Sequence, residues 1–411
     1  MPTGQGLTEA DTSATATRSR IATLALCLAI TALEGYDIQA FGVAAPHMMK
    51  ELGLGPAAQG WIASAAMLGL VVGAFFGSYL SERLGRRPVL MLSVVTFGVF
   101  SIVTAMVEGA EPLFIVRFLA GAGFGGALPI TIAIASEIAS ERRRALTVTA
   151  VFCGLPAGAA IVALFARGMG DVVDWRMIFI AGGVPPIVLA PLVLWLVSNR
   201  QAPVPANHRG PVSDLLGEGR ARSTLLIWCI FAMTLLLVYL MLNWLPTLVI
   251  SKGLSAAEGA SAAFVFNLAS IAGAFALAAI VDKLGFRWPL CAAYLLLAAV
   301  IALMAASDQA NIVLVLSALA GFLAVGPQCA LYALIPSVYP SHARVLGAGA
   351  AVGIGRFGSI VGPLIAGQLR AVGYSANEVF LILAPLALVA CLAVFLLGAR
   401  SLRASAAPAA G

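Results

Sequence analysis

The sequence predicts an all-α integral membrane protein whose twelve transmembrane helices form two six-helix, pseudo-symmetric bundles. Three observations predict this. The chain is 61% hydrophobic and only 10% charged, with a mean hydropathy of +1.01, against ~45–50% apolar and ~25% charged residues in a soluble globular domain. Twelve apolar runs recur from Ile21 to Leu397, each near the ~20 residues that cross a hydrocarbon core ~30 Å thick. One polar stretch rich in Pro and Gly, Ser198–Ser223, divides them six and six.

In order, the runs read as spans 21–44, 58–80, 88–107, 112–137, 145–166, 176–197, 224–250, 259–281, 288–306, 311–335, 345–369 and 378–398. The first twenty residues are polar, rich in Thr, Ser and Ala, and lack a cleavable signal pattern, so they read as a disordered cytoplasmic tail. The organisation is therefore a tail (1–20), a first bundle (21–197), a cytoplasmic linker (198–223), a second bundle (224–398) and a closing cytoplasmic tail (399–411). The bundles echo each other. ERLGRR (Glu82–Arg87) follows the second span and DKLGFR (Asp282–Arg287) follows the eighth. Transporters built from two parallel six-span repeats show this symmetry, and they bind solutes at the interface between halves near the midplane.

Charge sets the expected orientation. Of the 24 Lys and Arg, seventeen fall at the termini or in the even-numbered loops, such as Arg83, Arg86 and Arg87 or Arg142, Arg143 and Arg144. Five (Lys50, Arg167, Arg176, Lys252, Arg370) fall on the other side. The positive-inside rule then puts both termini in the cytoplasm. The net charge of +6 forms no basic face beyond these short loops, which excludes a nucleic-acid partner. All six cysteines lie in predicted spans without CxxC spacing, so neither a disulfide framework nor a metal site is indicated. With no His cluster and no nucleophile–base set, an enzyme is not expected, nor is a cofactor.

A few charges lie where lipid should be. Glu34 and Asp37 interrupt the first span, Arg117 the fourth and Arg356 the eleventh. A charge near the bilayer centre costs at least ~2.5–3.5 kcal/mol on insertion scales, so it usually faces a cavity or a partner. Two acids and a guanidinium there suggest a route for protons and an anionic solute. Counting 1.5 Å per residue puts Asp37 about 10 Å and Arg117 about 9 Å from the outer ends of their spans, at similar depth. Glu34 shares the face of Asp37 at i, i+3 and, like Arg356, sits near the midplane.

These features sit on motifs that resemble the major facilitator superfamily. SYLSERLGRR is similar to its loop 2–3 signature, with Ser78 and Glu82 standing where that signature has Gly and Asp. RFLAGAGFGG (Arg117–Gly126) resembles the fourth-helix RxxxGxGxG signature, and GLPAG its fifth-helix Gly-Pro element. Within the superfamily, EGYD (Glu34–Asp37) resembles the DGxD-type motif of aromatic acid:proton symporters, with further similarity in YLMLNWLP (Tyr239–Pro246) and GRFGSIVGP (Gly355–Pro363). The resemblance implies a major facilitator fold and a proton-coupled symporter. It would import an aromatic carboxylate, such as a hydroxyphenylpropionate or a hydroxybenzoate, by alternating access across the cytoplasmic (inner) membrane of a bacterium. It also implies a functional monomer whose partners are the small aromatic acid, protons and the lipid bilayer. Two alternatives stay open: another organic-anion carrier or drug/proton exchanger, and a transporter-like receptor or sensor for the acid.

Roles follow, each with a structural counterpart. Glu34, Asp37 and Arg117 are the proton-coupling candidates. A paired carboxylate stays ionised, and one stripped of its partner in a desolvated cavity takes a proton; a static Asp37–Arg117 packing pair is the other reading. Arg356 is the substrate anchor, since a guanidinium holds a carboxylate bidentately, or else the permanent partner of Glu34. Tyr239 with Asn243 and Gln328 with Tyr332 are i, i+4 pairs that line the pocket. Trp244 joins them or anchors at the interface, and Asn267 meets substrate or a neighbouring helix. The gating candidates are Glu82, Arg83, Arg86, Glu137, Asp282 and Arg344, with Arg142 beside them, as a network of cytoplasmic ion pairs or merely as topology signals. Gly69, Gly73 and Gly77, Gly349 with Gly353, and Gly358 with Gly362 form small-residue faces, either for sliding halves or for ordinary packing.

Overall fold

The structure is a computed structural model that describes residues 9–140, 144–170, 174–199, 213–217, 219–339 and 344–397. The first half holds α1 (Glu9–Glu51), α2 (Pro56–Leu84), α3 (Arg86–Thr104), α4 (Ala110–Ile138), α5 (Arg144–Phe152), α6 (Gly154–Gly168) and α7 (Trp175–Leu196). A single turn, α8 (Ser213–Leu216), precedes the second half: α9 (Ala221–Ser251), α10 (Ala256–Leu284), α11 (Arg287–Ala306), α12 (Ala310–Val338), α13 (Arg344–Ala371) and α14 (Ala376–Leu397). Twelve helices among the described residues are long and apolar enough to cross a membrane, with α5 and α6 contributing to one span. No β-strand occurs among the described residues.

Three details differ from the expectation. Helix α1 starts at Glu9, well inside the presumed tail, because nothing between there and Gly35 breaks a helix that the apolar span has already nucleated. Of the presumed linker, residues 200–212 and 218 lie outside the described residues. Its end is ordered: α8 buries Leu215, and Thr224 Oγ1 donates to the Leu215 carbonyl at 2.7 Å. The fifth span is broken at Cys153, since Pro156 has no N–H for the Phe152 carbonyl four residues earlier.

The two halves repeat at a spacing of two hundred residues, the spacing of Glu82 and Asp282. Backbones approach closely at matched glycines. A Cβ on Gly73 would strike the Ala122 carbonyl, and one on Gly273 the Phe322 carbonyl. Gly121 meets Ala66 as Gly321 meets Phe266, and Gly158 meets Ala32 as Gly358 meets Ala232. Thus α2 packs on α4 as α10 packs on α12, and α1 on α6 as α9 on α13. Gly85 and Gly285 end α2 and α10 with φ of 89° and 74°, where glycine is favoured.

These contacts lie within a half, so the small-residue faces serve packing rather than sliding. Gly69, Gly73 and Gly77 meet α4, and Gly358 and Gly362 meet α9; a methyl group placed on Gly349 or Gly353 would find no atom within 4 Å. Between the halves, α2 lies against α13, α6 against α10 and α1 against α9. There the close approach is made by Gly42 on Leu242 and Asn243, and by Gly60 on Pro363 and Gly367. Neutral hydrogen bonds join the same surfaces. Gln59 Nε2 reaches Thr247 Oγ1 at 2.9 Å, and Ser64 Oγ reaches the Ile360 carbonyl at 2.7 Å. All of these lie toward the loop after α1 (52–55), away from the chain termini.

Candidate functional site

The sequence places three polar side chains where α1, α3 and α4 cross. Asp37 Oδ2 accepts from Arg117 Nη1 at 2.6 Å, and Asp37 Oδ1 accepts from Ser101 Oγ at 2.8 Å. Arg117 Nη2 lies 3.4 Å from the Asp37 carbonyl, and the guanidinium stands 5.3 Å from the Phe179 ring centroid and 5.7 Å from that of Phe41. Both charged residues are only 1% exposed, so the attraction acts with little solvent screening. The pairing inferred from similar depth is therefore present. The depth itself was misjudged, because α1 continues past Ala44 to Glu51.

Glu34, one turn away on α1, is 2% exposed, and its Oε2 has no hydrogen-bond partner among the described residues. Arg356 of the other half is the cation that bears on it electrostatically. The two form no ion pair among the described residues. Instead Arg356 Nη1 donates to Tyr239 Oη at 3.0 Å, with the guanidinium 5.9 Å from that ring's centroid.

Beside this group lies a cavity of about 90 Å³, walled by both halves. Ile38, Phe152, Leu155 and Pro156 come from the first half, and Val238, Leu242, Val325 and Ala274 from the second. Its wall also includes the polar residues Thr149, Tyr239, Asn267, Ser270, Gln328 and Tyr332. Phe152 faces Tyr332 across the two halves with ring centroids 6.1 Å apart, and Phe231 packs edge-on against Tyr332 at 5.5 Å. An apolar, aromatic cavity with few polar groups suits a small organic ligand. Tyr239, Gln328 and Tyr332 are wall residues, whereas Arg356 stands behind Tyr239 and neither it nor Glu34 is in the wall.

Two pocket candidates move. Asn243 turns its Nδ2 back to the Tyr239 carbonyl at 2.8 Å and does not line the cavity. Trp244 is no interfacial anchor: it is 0% exposed, and its Nε1 donates to the Pro363 carbonyl at 3.1 Å, tying α9 to α13. Sequence reasoning missed Phe152, for which no motif gives a signal, and Gln39. Gln39 Nε2 donates to the Leu242 carbonyl at 3.0 Å, and Asn267 Nδ2 donates to Gln39 Oε1 at 2.9 Å. Asn267 thus both lines the cavity and bonds another helix. Pro246 was the available clue to Gln39, since it leaves the Leu242 carbonyl without its helical donor.

Of the gating candidates, Arg86 Nη1 pairs with Glu137 Oε1 at 2.6 Å, which joins α3 to α4 within one half rather than bridging the halves. Arg83 lies 4.4 Å over the Tyr79 ring. Glu82 and Asp282 are exposed and make no ion pair among the described residues. Arg142 and the side chain of Arg344 lie outside the described residues. No group of three or more His, Cys, Asp or Glu suited to a metal occurs among the described residues.

Comparison with known proteins fits this architecture. The chain is 38% identical over 386 residues to a 3-(3-hydroxyphenyl)propionate transporter of Escherichia coli K12, covering 93% of this chain and 94% of that one. It is 31% identical over 415 residues to a gallate transporter of Pseudomonas putida, covering 93% and 92%. The fold matches a bacterial homolog of the human lysosomal transporter Spinster, solved inward-facing and unoccupied, with a TM-score of 0.78, 14% identity, and coverage of 95% and 99%. The Major Facilitator Superfamily model matches residues 27–352 and again 251–411. With two repeated six-helix bundles and a cavity between them, the chain belongs to the Major Facilitator Superfamily and is a membrane transporter, not an enzyme.

Proposed function

We propose that this transporter imports an aromatic carboxylate together with protons across the cytoplasmic membrane, by alternating access. The observation that carries the reading is the cavity between the halves, aromatic and apolar, with the cation Arg356 behind Tyr239 and a buried acid–guanidinium pair inside the first half. The 3-(3-hydroxyphenyl)propionate and gallate transporters that the chain resembles support the substrate class.

In the proposed cycle the acid's ring occupies the cavity and its carboxylate engages Arg356, displacing the hydroxyl of Tyr239. Asp37 and Glu34 carry the protons: separating Asp37 from Arg117 leaves a desolvated carboxylate that is relieved by protonation. With the termini in the cytoplasm, the neutral seal near Gln59, Ser64 and Gln39 closes the outer side of the cavity. Uptake of 3-(3-hydroxyphenyl)propionate into proteoliposomes under an imposed pH gradient tests the reading. Wild-type uptake should collapse with a protonophore at fixed membrane potential, and Asp37→Asn should lose gradient-driven uptake while keeping counterflow. Binding without flux would instead make the protein a receptor, and flux indifferent to the protonophore would remove the proton.

A further inference from the structure

Resting on that reading, we infer that Asn267 Oδ1 is the acceptor for a hydroxyl group on the substrate's ring, and that Gln39 of the opposite half is the positioning residue that makes it so. The chain of hydrogen bonds leaves no other orientation. Pro246 carries no N–H, so the Leu242 carbonyl in α9 lacks the donor that a helix would supply. Gly42 lets α1 come close enough for Gln39 to replace it, with Nε2 at 3.0 Å from that carbonyl. This turns Gln39 Oε1 toward Asn267, which must present its amino group in return, at 2.9 Å. The second proton of Asn267 Nδ2 goes to the Ala263 carbonyl at 2.8 Å. A side-chain amide has two N–H donors and one oxygen, and here both donors are spent.

What remains of Asn267 in the cavity wall is an acceptor, with no protein donor among the described residues. The neighbouring hydroxyl of Ser270 is turned away, donating to the Asn267 backbone carbonyl at 2.7 Å. An acceptor fixed in this way rejects a carboxylate, an ether or a bare ring, and it accepts a phenolic O–H.

Calorimetric titration of the purified protein with three ligands tests this: 3-(3-hydroxyphenyl)propionate, its methyl ether and unsubstituted 3-phenylpropionate, with the matching benzoates run in parallel. Wild type should bind the phenol about 3- to 10-fold more tightly than the ether or the bare ring. In Asn267→Leu that preference should vanish while affinity for the bare ring holds. In Gln39→Leu the amide regains a free N–H, so discrimination against the ether in particular should shrink; a merely structural role would weaken all three ligands alike. Equal wild-type affinities, or a phenol-over-ether preference that survives undiminished in Gln39→Leu, would overturn the assignment even if Asn267→Leu does not fold. If no acid of either series binds, the aromatic-carboxylate reading fails first and this assignment with it.

Discussion

The first and second halves of this transporter share a frame and differ in what they bury in it. The frame is the set of matched close approaches, with Gly73 and Gly273, Gly121 and Gly321, and Gly158 and Gly358 each meeting a carbonyl of the partner helix. At the crossing of α1, α3 and α4 the first half holds Asp37, Ser101 and Arg117. Two hundred residues on, the second half holds Leu237, Ile301 and Ser317, all at most 1% exposed, and Ser317 Oγ merely returns to its own helix at Val313. In exchange, the second half carries Arg356 where the first has Pro156, and Tyr239 where it has Gln39. Backbone packing tolerates either content at Asp37, Ser101 and Arg117 and at their counterparts because these positions are buried within their own bundle, whereas Gln39, Tyr239 and Pro156 face the other half. The chemistry has therefore diverged while the scaffold has not.

The largest expected effect comes from making the halves alike. Arg117→Ser alone leaves Asp37 buried without its cation, which should cost about 3–5 kcal/mol, as removing one member of a buried pair generally does. Copying the second half in full, with Asp37→Leu, Ser101→Ile and Arg117→Ser, should recover most of that stability in thermal unfolding of the detergent-solubilised protein, yet give no proton-driven uptake. A triple variant that folds and still concentrates the acid on a pH gradient would break the assignment of coupling to the first half.

An intermediate effect tests the shared frame. Gly73→Val and Gly273→Val should each destabilise by roughly 1–3 kcal/mol through overpacking against a backbone carbonyl, and by similar amounts. Gly353→Ala meets no atom within 4 Å and should be neutral or stabilising by about 0.4–1 kcal/mol. A large difference between the two valine variants in unfolding temperature would show that the halves do not pack equivalently. The smallest effect concerns the cation peculiar to the second half. Arg356→Lys keeps the charge but loses the two-pronged donor, so binding of the aromatic acid should weaken about tenfold. Unchanged affinity would mean that Arg356 serves Tyr239 and Glu34 rather than the solute.

The residues that carry this comparison were unevenly legible. Asp37, Arg117 and Arg356 declare themselves because a charge in an apolar run needs a reason, but the meeting of Asp37 with Arg117 was settled by the packing of α1 on α4 and not by counted depth, since α1 runs on to Glu51. The twelve spans and the repeat of ERLGRR in DKLGFR were open to reading for the same cause: lipid permits so few polar residues that each one carries information. Trp244 and Asn243 misled, since a Trp near a helix end and an amide on a pocket helix look the same whether they face lipid, ligand or backbone.

What the sequence determined by itself is the class of the protein, its helices and the identity of its buried charges, because hydropathy and charge are local and periodic. Only the tertiary structure decided which partners those groups take. Arg86 meets Glu137 inside one half, Arg356 meets Tyr239 rather than Glu34, and Gln39 crosses to a carbonyl that Pro246 left open. Each outcome depends on the rotation and spacing of helices far apart in the chain. Those are set by glycine contacts and proline interruptions acting together, and no single segment encodes them.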